Sequence, residues 1–538
     1  MTKHNTVLRT LVGLSLCVNL QGCGSKSSDS PPAPSSGYVV SVGSGASTQL
    51  ELSGDSGQQY VVAPFSLGDH GSVVGAGAAS LSFTLSAPGA SLQKIKRSDR
   101  IEDDLNESET LRLITNRFEP AKGLAQEPWI WNALEKIDAN RFTKNTNFVG
   151  HESLKEHYET LARNYRPRNS RSSFANLTTN CPATAPAATN PSSTVSLTTT
   201  HDGTYFCVGY NSDPTGDTKA NVQASVKAVI DSYRNTIYQD QMTTNVKDGY
   251  SFNPLIVIVS SLPYDGAFSP AATTVAKRPI LYIKDSLSKA TLHATIAHEM
   301  QHAIVDYYKT RGTTTISETV GVDEGIAHLM EDAFGYGEGN FNSYTLSFLR
   351  SFVDGSAILA NNDGANAAAA RGGAYSLVYF MAMKAGGFTV TNGKPFTGGG
   401  MNAVVSLVKQ TSKTGPSALA AAFGQTDLTL RVGELIGALF NDNRNFSFSP
   451  AEFSVDTYSS ITDTLGTTGL TFGTRFNNFK TFTTATTNTL ESAASGFTAK
   501  NYESYPVLIT PESSKKTTVT VGFPTGSANS GVTVVRVK

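Results

Sequence analysis

The spacing of hydrophobic positions changes along the chain, and each spacing predicts a different kind of structure. Between residues 38 and 90, short alternating segments such as YVVSV and SLSFTLSAP are separated by Gly and Ser, which is typical of a small antiparallel β module. Residues 91–180 are charged and helix-compatible, and they form either a linker or a prosegment. The basic clusters at 94–97 and 166–171 suit proteolytic processing of this segment. Alternation returns in a Thr-rich region, which predicts a second β module at 446–538.

The middle of the chain, residues 181–445, combines apolar strands with helices. The runs PLIVIVSSL at 254–262 and RPILYIKD at 278–285 predict buried strands. The second run leads into a helix-compatible segment, TLHATIAHEMQHAIVDYY, at 291–308. Further helical runs, separated by Gly-rich breaks, span 318–334, 343–353, 373–385, 401–411 and 426–441. The pattern therefore predicts an α+β central domain with flanking β-rich modules.

The start of the chain predicts export and a lipid anchor. An apolar run from Leu11 to Leu20 follows two basic residues and is about half the length that spans a bilayer, which is typical of a secretory signal. The run ends in LQGC, which resembles the lipobox of bacterial lipoproteins, where the cysteine becomes the lipid-modified first residue. On this interpretation residues 1–22 are the signal peptide, Cys23 carries the lipid, and the polar residues 23–37 are a flexible tether in the bacterial cell envelope. The alternative is an ordinary cleaved signal.

Charge and cysteine content refine this interpretation. Lys and Arg total 43 against 44 Asp and Glu, so no charge excess favours nucleic acid as a partner. Cys17 leaves with the signal peptide and Cys23 carries lipid, which leaves Cys181 and Cys207 as a pair in an oxidising compartment. We predict a disulfide between them, which contributes on the order of 3 kcal/mol in the chain-entropy model. The alternative is two free thiols.

The segment 291–308 contains a motif with catalytic chemistry. On a helix, His298 and His302 lie one turn apart on one face, close enough for both imidazoles to reach a single zinc ion. Glu299, next to the first histidine, can address a zinc-bound water, which completes the HExxH arrangement. The neighbouring residues are uncharged, as in a helix that is buried under a metal site. The alternative is a pair of hydrogen-bonded core histidines.

A catalytic zinc site takes three protein ligands and keeps one position open, so a third ligand is required. The extended motif HExxHxxGxxH would need Gly and His where the chain has Val305 and Tyr308, which excludes the metzincin arrangement. The next helical run contains VDEGIAHLMED, in which Glu324 can point back toward the histidines. Glu324 is therefore the favoured third ligand. The alternatives are Glu318, Asp323 and His328.

Two segments together resemble a known family, TIAHEMQHAI and DEGIAHLMED. They are similar to the gluzincin metallopeptidases, and among these to the hyicolysin family of bacterial secreted enzymes, over about residues 200–445. The chain departs from that family in having Asp323 where Asn is usual and Met300 where Phe is common. The resemblance implies a two-lobed, thermolysin-like zincin core, zinc as the cofactor, and protein or peptide substrates. It also implies an oxyanion-stabilising Tyr or His from a later helix, a position that Tyr375 fits, with Tyr379 one turn further on.

These features predict a secreted, lipid-anchored zinc metalloendopeptidase, in which Glu299 is the general base. Extended substrate is expected to pair with the sheet edge near residues 280–283. An aminopeptidase of the same clan is one alternative, but the Gly-x-Met-Glu-Asn segment of those enzymes does not precede His298. A surface adhesin with a vestigial zincin core is the other alternative, although the ligands, the base and a candidate Tyr are all present.

Overall fold

The structure is a computed structural model of the 538-residue chain. It describes residues 37–42, 46–67, 81–97, 181–188, 190, 192–201, 206–212, 214–236, 250, 252, 254–287, 289–311, 316–333, 344, 348, 352, 358–359, 367–387, 389–391, 394–426, 428–440, 482–490, 495–499, 502–523 and 529–536. The predicted signal peptide, the lipidation site Cys23, nearly all of the tether and most of the charged segment 91–180 lie outside the described residues.

The chain folds as a mixed α and β protein, which is the coarse class that the sequence predicts. The helices in the described ranges are α1 Gly216–Thr236, α2 Pro270–Ala276, α3 Lys289–Val305, α4 Val320–Ala333, α5 Ala367–Lys384, α6 Gly399–Lys409, α7 Gly415–Ala422 and α8 Thr429–Phe440. The strands are β1 Gly37–Val42, β2 Ser47–Ser53, β3 Tyr60–Ser66, β4 Leu81–Ser86, β5 Ala90–Arg97, β6 Thr184–Pro186, β7 Thr194–Ser196, β8 Thr198–His201, β9 Phe206–Tyr210, β10 Leu255–Ser260, β11 Gly266–Phe268, β12 Ile280–Lys284, β13 Thr389–Thr391, β14 Lys394–Thr397, β15 Phe482–Leu490, β16 Ser495–Ala499, β17 Val507–Pro511, β18 Lys516–Gly522 and β19 Ser530–Arg536. None of these helices is long and apolar enough to cross a membrane.

Strands from both ends of the chain form one β-sandwich. One sheet has the order β1-β19-β3-β17-β5-β15 and the other the order β16-β4-β18-β2, with antiparallel neighbours throughout. Alternate side chains such as Leu52, Phe83 and Val519 fill the space between the sheets. The sequence pattern predicts these strands as two separate modules, because alternation indicates the buried face of a strand but not its partner strand. In the structure the two segments pair with each other.

The central domain contains a five-stranded sheet with the order β11-β12-β10-β9-β8. Strands β9, β10 and β12 are parallel, and all six residues of β10 are buried, as its unbroken apolar run predicts. Strand β11 pairs antiparallel with β12 and forms the edge of the sheet. The prediction of an edge at residues 280–283 is therefore wrong. The true edge has three residues, Gly266 to Phe268, which is too short to give a periodic signal in the sequence.

Helices α3, α4 and α5 pack in series from this sheet. Helix α3 lies against β11 and β12, α4 lies against α3, and α5 lies against α4. Gly325 allows the last contact, because a Cβ at this position would lie 2.9 Å from the carbonyl oxygen of Ala374. The predicted disulfide between Cys181 and Cys207 is present and fastens the start of the domain to β9.

The sandwich and the central domain share one hydrophobic core. Helix α8 lies against β1, β3 and β19, and the core beneath it contains Phe65, Ile436 and Val535. The Thr533 hydroxyl donates a hydrogen bond to the carbonyl oxygen of Gly433 at 2.8 Å. The face of this sheet that is turned toward α8 therefore belongs to the hydrophobic core of the central domain.

Candidate metal centre

Helices α3 and α4 bring three metal-binding side chains together. His298 and His302 project one turn apart from α3, and their Nε2 atoms lie 3.0 Å apart. Glu324 projects from the first half of α4 and places Oε2 3.3 Å from His298 Nε2. His298 and Glu324 are buried, whereas His302 is partly exposed. These ligand atoms form one group that could hold a metal ion.

A carboxylate on α4 lies close to Nδ1 of each imidazole. His298 Nδ1 lies 2.6 Å from Glu331 Oε1, and His302 Nδ1 lies 2.9 Å from Asp323 Oδ2. A carboxylate at this position favours the tautomer with its proton on Nδ1. The Nε2 lone pairs of both rings therefore face the space in front of Glu324.

Glu331 also contacts His328, which lies on the same helix as Glu331. His328 Nδ1 lies 2.8 Å from the same Glu331 oxygen that contacts His298, and the two imidazole centroids are 4.6 Å apart. Burial opposes ionisation of Glu331, but the imidazoles of His328 and His298 outweigh it and lower the pKa of its carboxyl to about 2. Burial also lowers the pKa of His328, which is therefore neutral and donates from Nδ1. His298, His328 and Glu331 thus form a hydrogen-bonded cluster behind the ligand set.

The donor set fits zinc. Two Nε2 lone pairs that face each other at 3.0 Å need a cation between them, either a proton or a metal ion. Burial disfavours the charged form of His298, but the carboxylates of Glu324 and Glu331 raise its pKa well above the usual value. The site therefore attracts positive charge. Tetrahedral zinc with nitrogen ligands at about 2.0–2.1 Å separates its ligand atoms by roughly 3.3 Å, close to the separations found here.

Arg371 on α5 approaches the Glu324 carboxylate oxygen that does not face His298. Its Nη2 lies 3.1 Å from Glu324 Oε1, and its guanidinium carbon lies 5.8 Å from the ring centroid of Tyr344. Burial opposes ionisation of Glu324, but the imidazoles of His298 and His302 and the Arg371 cation hold its pKa far below the usual range. Glu324 is therefore a carboxylate.

Glu299 lies between α3 and the edge strand β11. It is buried, and its Oε2 accepts a hydrogen bond from the backbone N–H of Phe268 at 2.6 Å. Gly266 lets the strand come this close, because a Cβ there would collide with the Thr295 methyl group and lie 3.2 Å from Glu299 Cγ. The Phe268 N–H thus fixes the carboxylate beside the sheet edge.

The three alternative third ligands have other partners. Glu318 forms a fully buried ion pair with Lys309, which lies in the π-helical turn Asp306–Thr310 after α3. Its other oxygen accepts hydrogen bonds from the backbone N–H groups of Thr319, at 2.9 Å, and Gly415. Asp323 faces Nδ1 of His302, and His328 contacts Glu331. Among the four candidates for the third ligand, Glu324 is the one that groups with both His298 and His302.

The two predicted tyrosines and a third tyrosine lie at different depths. Tyr375 and Tyr379 are almost fully buried, and the Tyr375 ring centroid lies 6.5 Å from that of His328. Tyr344 is partly exposed, and its ring lies 4.4 Å from His328 and beneath Arg371. Burial raises the pKa of Tyr344, and the charges of Arg371, Glu331, His298 and Glu324 also act on it. Of these three tyrosines, Tyr344 is therefore the one with exposed surface, and it lies against Arg371.

Sequence reasoning did not identify Glu331, Tyr344 and Arg371. Glu331 follows Glu324 by seven residues, which is two helical turns, so it lies on the same face of α4 and could have been found from the spacing. Arg371 reaches the centre because α5 packs on α4, and Tyr344 lies there because its backbone packs on α5 at Gly372, and no local sequence pattern encodes either contact.

No protein-family model matches the chain, and no curated protein aligns with it at a significant level.

Proposed function

We propose that the chain is a zinc-dependent metalloendopeptidase with a two-lobed, thermolysin-like core, in which His298, His302 and Glu324 hold the metal. The observation that carries this proposal is the convergence of three candidate ligand atoms, two from imidazoles and one from a carboxylate. Each imidazole also has a carboxylate of α4 close to its Nδ1 atom. Zinc in such a site polarises a peptide carbonyl and lowers the pKa of a bound water to about 7. Proton transfer, substrate binding and stabilisation of the oxyanion depend on residues of the chain itself.

Glu299 is the general base in this proposal. It takes a proton from the attacking water and passes it to the leaving amine, which requires a carboxylate within hydrogen-bond reach of the reacting atoms. The N–H of Phe268 holds one of its oxygens at 2.6 Å and so fixes the direction of the carboxylate. The other oxygen remains to accept the proton.

Strand β11 supports a peptide as the substrate. An extended peptide can add to a sheet edge by backbone hydrogen bonds, and β11 is the edge next to Glu299. Backbone pairing needs no free terminus, which favours cleavage within a chain over removal of an amino-terminal residue. Gly266 keeps this edge close to α3.

Tyr344 takes the role that the resemblance gives to Tyr375. A donor to the developing oxyanion needs exposed surface beside the metal-binding side chains, and Tyr344 is partly exposed whereas Tyr375 is almost fully buried.

The proposed location is the bacterial cell envelope, with the membrane reached through lipid on Cys23. Replacement of this residue, Cys23→Ser, is expected to abolish lipid labelling and to move the protein from the membrane fraction to the soluble fraction. Continued membrane association of that variant would contradict the lipid anchor.

The test of the activity compares wild-type protein with Glu299→Gln. Wild-type protein is expected to contain about one zinc per chain and to cleave casein in a chelator-sensitive manner, with aminoacyl-nitroanilides left intact. Glu299→Gln is expected to keep its zinc and to lose most hydrolysis, since the residue is a base and not a ligand. Preferential cleavage of the nitroanilides would identify an aminopeptidase. Zinc without any hydrolysis in the wild type would favour the adhesin.

A further inference from the structure

The two oxygens of the Glu324 carboxylate have different partners. Oε2 lies 3.3 Å from His298 Nε2 and faces the metal-binding space, whereas Oε1 lies 3.1 Å from Arg371 Nη2. Glu324 is largely buried, so water does not compete for these two contacts. One oxygen is directed at the ligand set and the other is occupied by a cation from α5.

Arg371 is itself held in place. Its guanidinium lies over the Tyr344 ring, with 5.8 Å between the guanidinium carbon and the ring centroid, and its side chain is only 28% exposed. The next residue, Gly372, has no room for a Cβ because the carbonyl oxygen of Tyr344 occupies that space. The backbone that carries Arg371 is therefore packed directly on the residue that its side chain covers, and the rigid fork of the guanidinium has a fixed direction.

We propose that Arg371 is a positioning residue that makes Glu324 a one-oxygen ligand of the metal. This inference rests on the proposed metal site. A carboxylate can bind a metal ion through one oxygen or through both, and a two-oxygen contact would fill the position that a catalytic site keeps open. By holding Oε1, Arg371 prevents Glu324 from rotating into the two-oxygen arrangement.

Metal affinity alone cannot test this role. Removing the Arg371 cation weakens the repulsion of a divalent ion and so favours metal binding, whereas releasing Glu324 disorders a ligand and opposes it. The two effects have opposite signs. Coordination number is the property that the proposal fixes, and it can be read from the visible absorption of the protein loaded with Co²⁺, which is stronger at four-coordinate than at five-coordinate sites.

The experiment loads full-length wild-type, Arg371→Met and Arg371→Lys proteins with Co²⁺. The wild type is expected to give the intense bands of a four-coordinate site. Both variants are expected to lose intensity, because methionine cannot hold Oε1 and lysine lacks the planar fork. The matched control is Arg431→Met on α8, since Arg431 also forms an ion pair with a buried glutamate, Nη1 to Glu434 Oε2 at 2.6 Å.

The control separates positioning from general stability. Arg431→Met is expected to keep the wild-type spectrum even where its melting temperature falls. A wild-type spectrum in both Arg371 variants would overturn the proposal and leave Arg371 as a stabilising ion pair. Failure of the wild-type protein to bind Co²⁺ or Zn²⁺ would instead count against the proposed function, and the two failures are therefore distinguishable.

Discussion

Exposure separates the two candidate oxyanion donors at the level of single residues. Tyr344→Phe removes a hydroxyl from a partly exposed side chain that lies against Arg371, and we expect kcat to fall by about a hundredfold or more with unchanged zinc content. Tyr375→Phe removes a hydroxyl from a side chain that is 1% exposed, and we expect nearly normal turnover. Steady-state kinetics on casein-derived peptides measures both. A large loss of turnover in Tyr375→Phe alone would return the role to Tyr375.

The buried ion pair between Lys309 and Glu318 makes a prediction about stability. Both side chains are almost completely inaccessible, at 0% and 1% exposure. In Lys309→Met the carboxylate stays buried without its cation, and we expect a loss of about 3–5 kcal/mol in the free energy of unfolding. Urea unfolding followed by circular dichroism measures this loss.

The same variant should show a characteristic pH dependence. Burial already raises the pKa of Glu318 although Lys309 opposes the shift, and removing Lys309 raises that pKa further. A carboxyl whose pKa is raised in the folded state stabilises the protein below its unfolded pKa, and this contribution disappears as the pH rises through the folded value. The loss of stability in Lys309→Met should therefore be smaller at pH 5 than at pH 8. An equal loss at both values would contradict the assignment of the unpaired charge to Glu318.

At the scale of elements, Gly266 allows β11 to lie close to α3 because it has no side chain. In Gly266→Ala the new Cβ would collide with the Thr295 methyl group, so we expect the edge strand to move away and Glu299 to lose the Phe268 N–H. Peptide hydrolysis should fall while zinc content stays the same. Adding Thr295→Ser removes that methyl group, and the double variant should recover part of the activity. No recovery would mean that the collision is not the cause.

The elements that the sequence predicts are those with a long local signal. Strand β10 begins with five consecutive apolar residues, and α3 carries the two candidate ligand histidines at a helical spacing that is visible in the sequence. Helix α7 and strand β11 are short, and neither has enough residues to show a period. The choice of Glu324 as the proposed third ligand follows from the ligand preferences of zinc and from the position of Glu324 on a second predicted helix. The contact between Arg371 and Glu324 depends on the packing of α5 against α4, which is a tertiary property with no local sequence signal.

At the scale of the whole molecule, the sandwich cannot be treated as a removable module. Deleting residues 446–538 would take five strands, β15 to β19, from positions that alternate with β1 to β5. It would also uncover Phe65 and the neighbouring side chains that share a core with α8. We expect this truncated protein to be insoluble or unfolded and to bind no zinc, as measured by size-exclusion chromatography and metal analysis. Deletion of residues 1–36 is the control and should leave a folded, zinc-binding protein. A soluble, active product of the larger deletion would contradict the shared core.

The pairing of Gly37 with Val535 has a consequence for biosynthesis. The strands β1 to β5 leave the ribosome before the central domain, whereas their hydrogen-bonding partners β15 to β19 follow that domain. Until then their edges are unsatisfied and open to other chains, which is the condition that favours aggregation. Such distant pairing also folds slowly, because the chain must close a very large loop before the contacts form. The strands β1 to β5 are therefore exposed to aggregation during synthesis until β15 to β19 are available to pair with them.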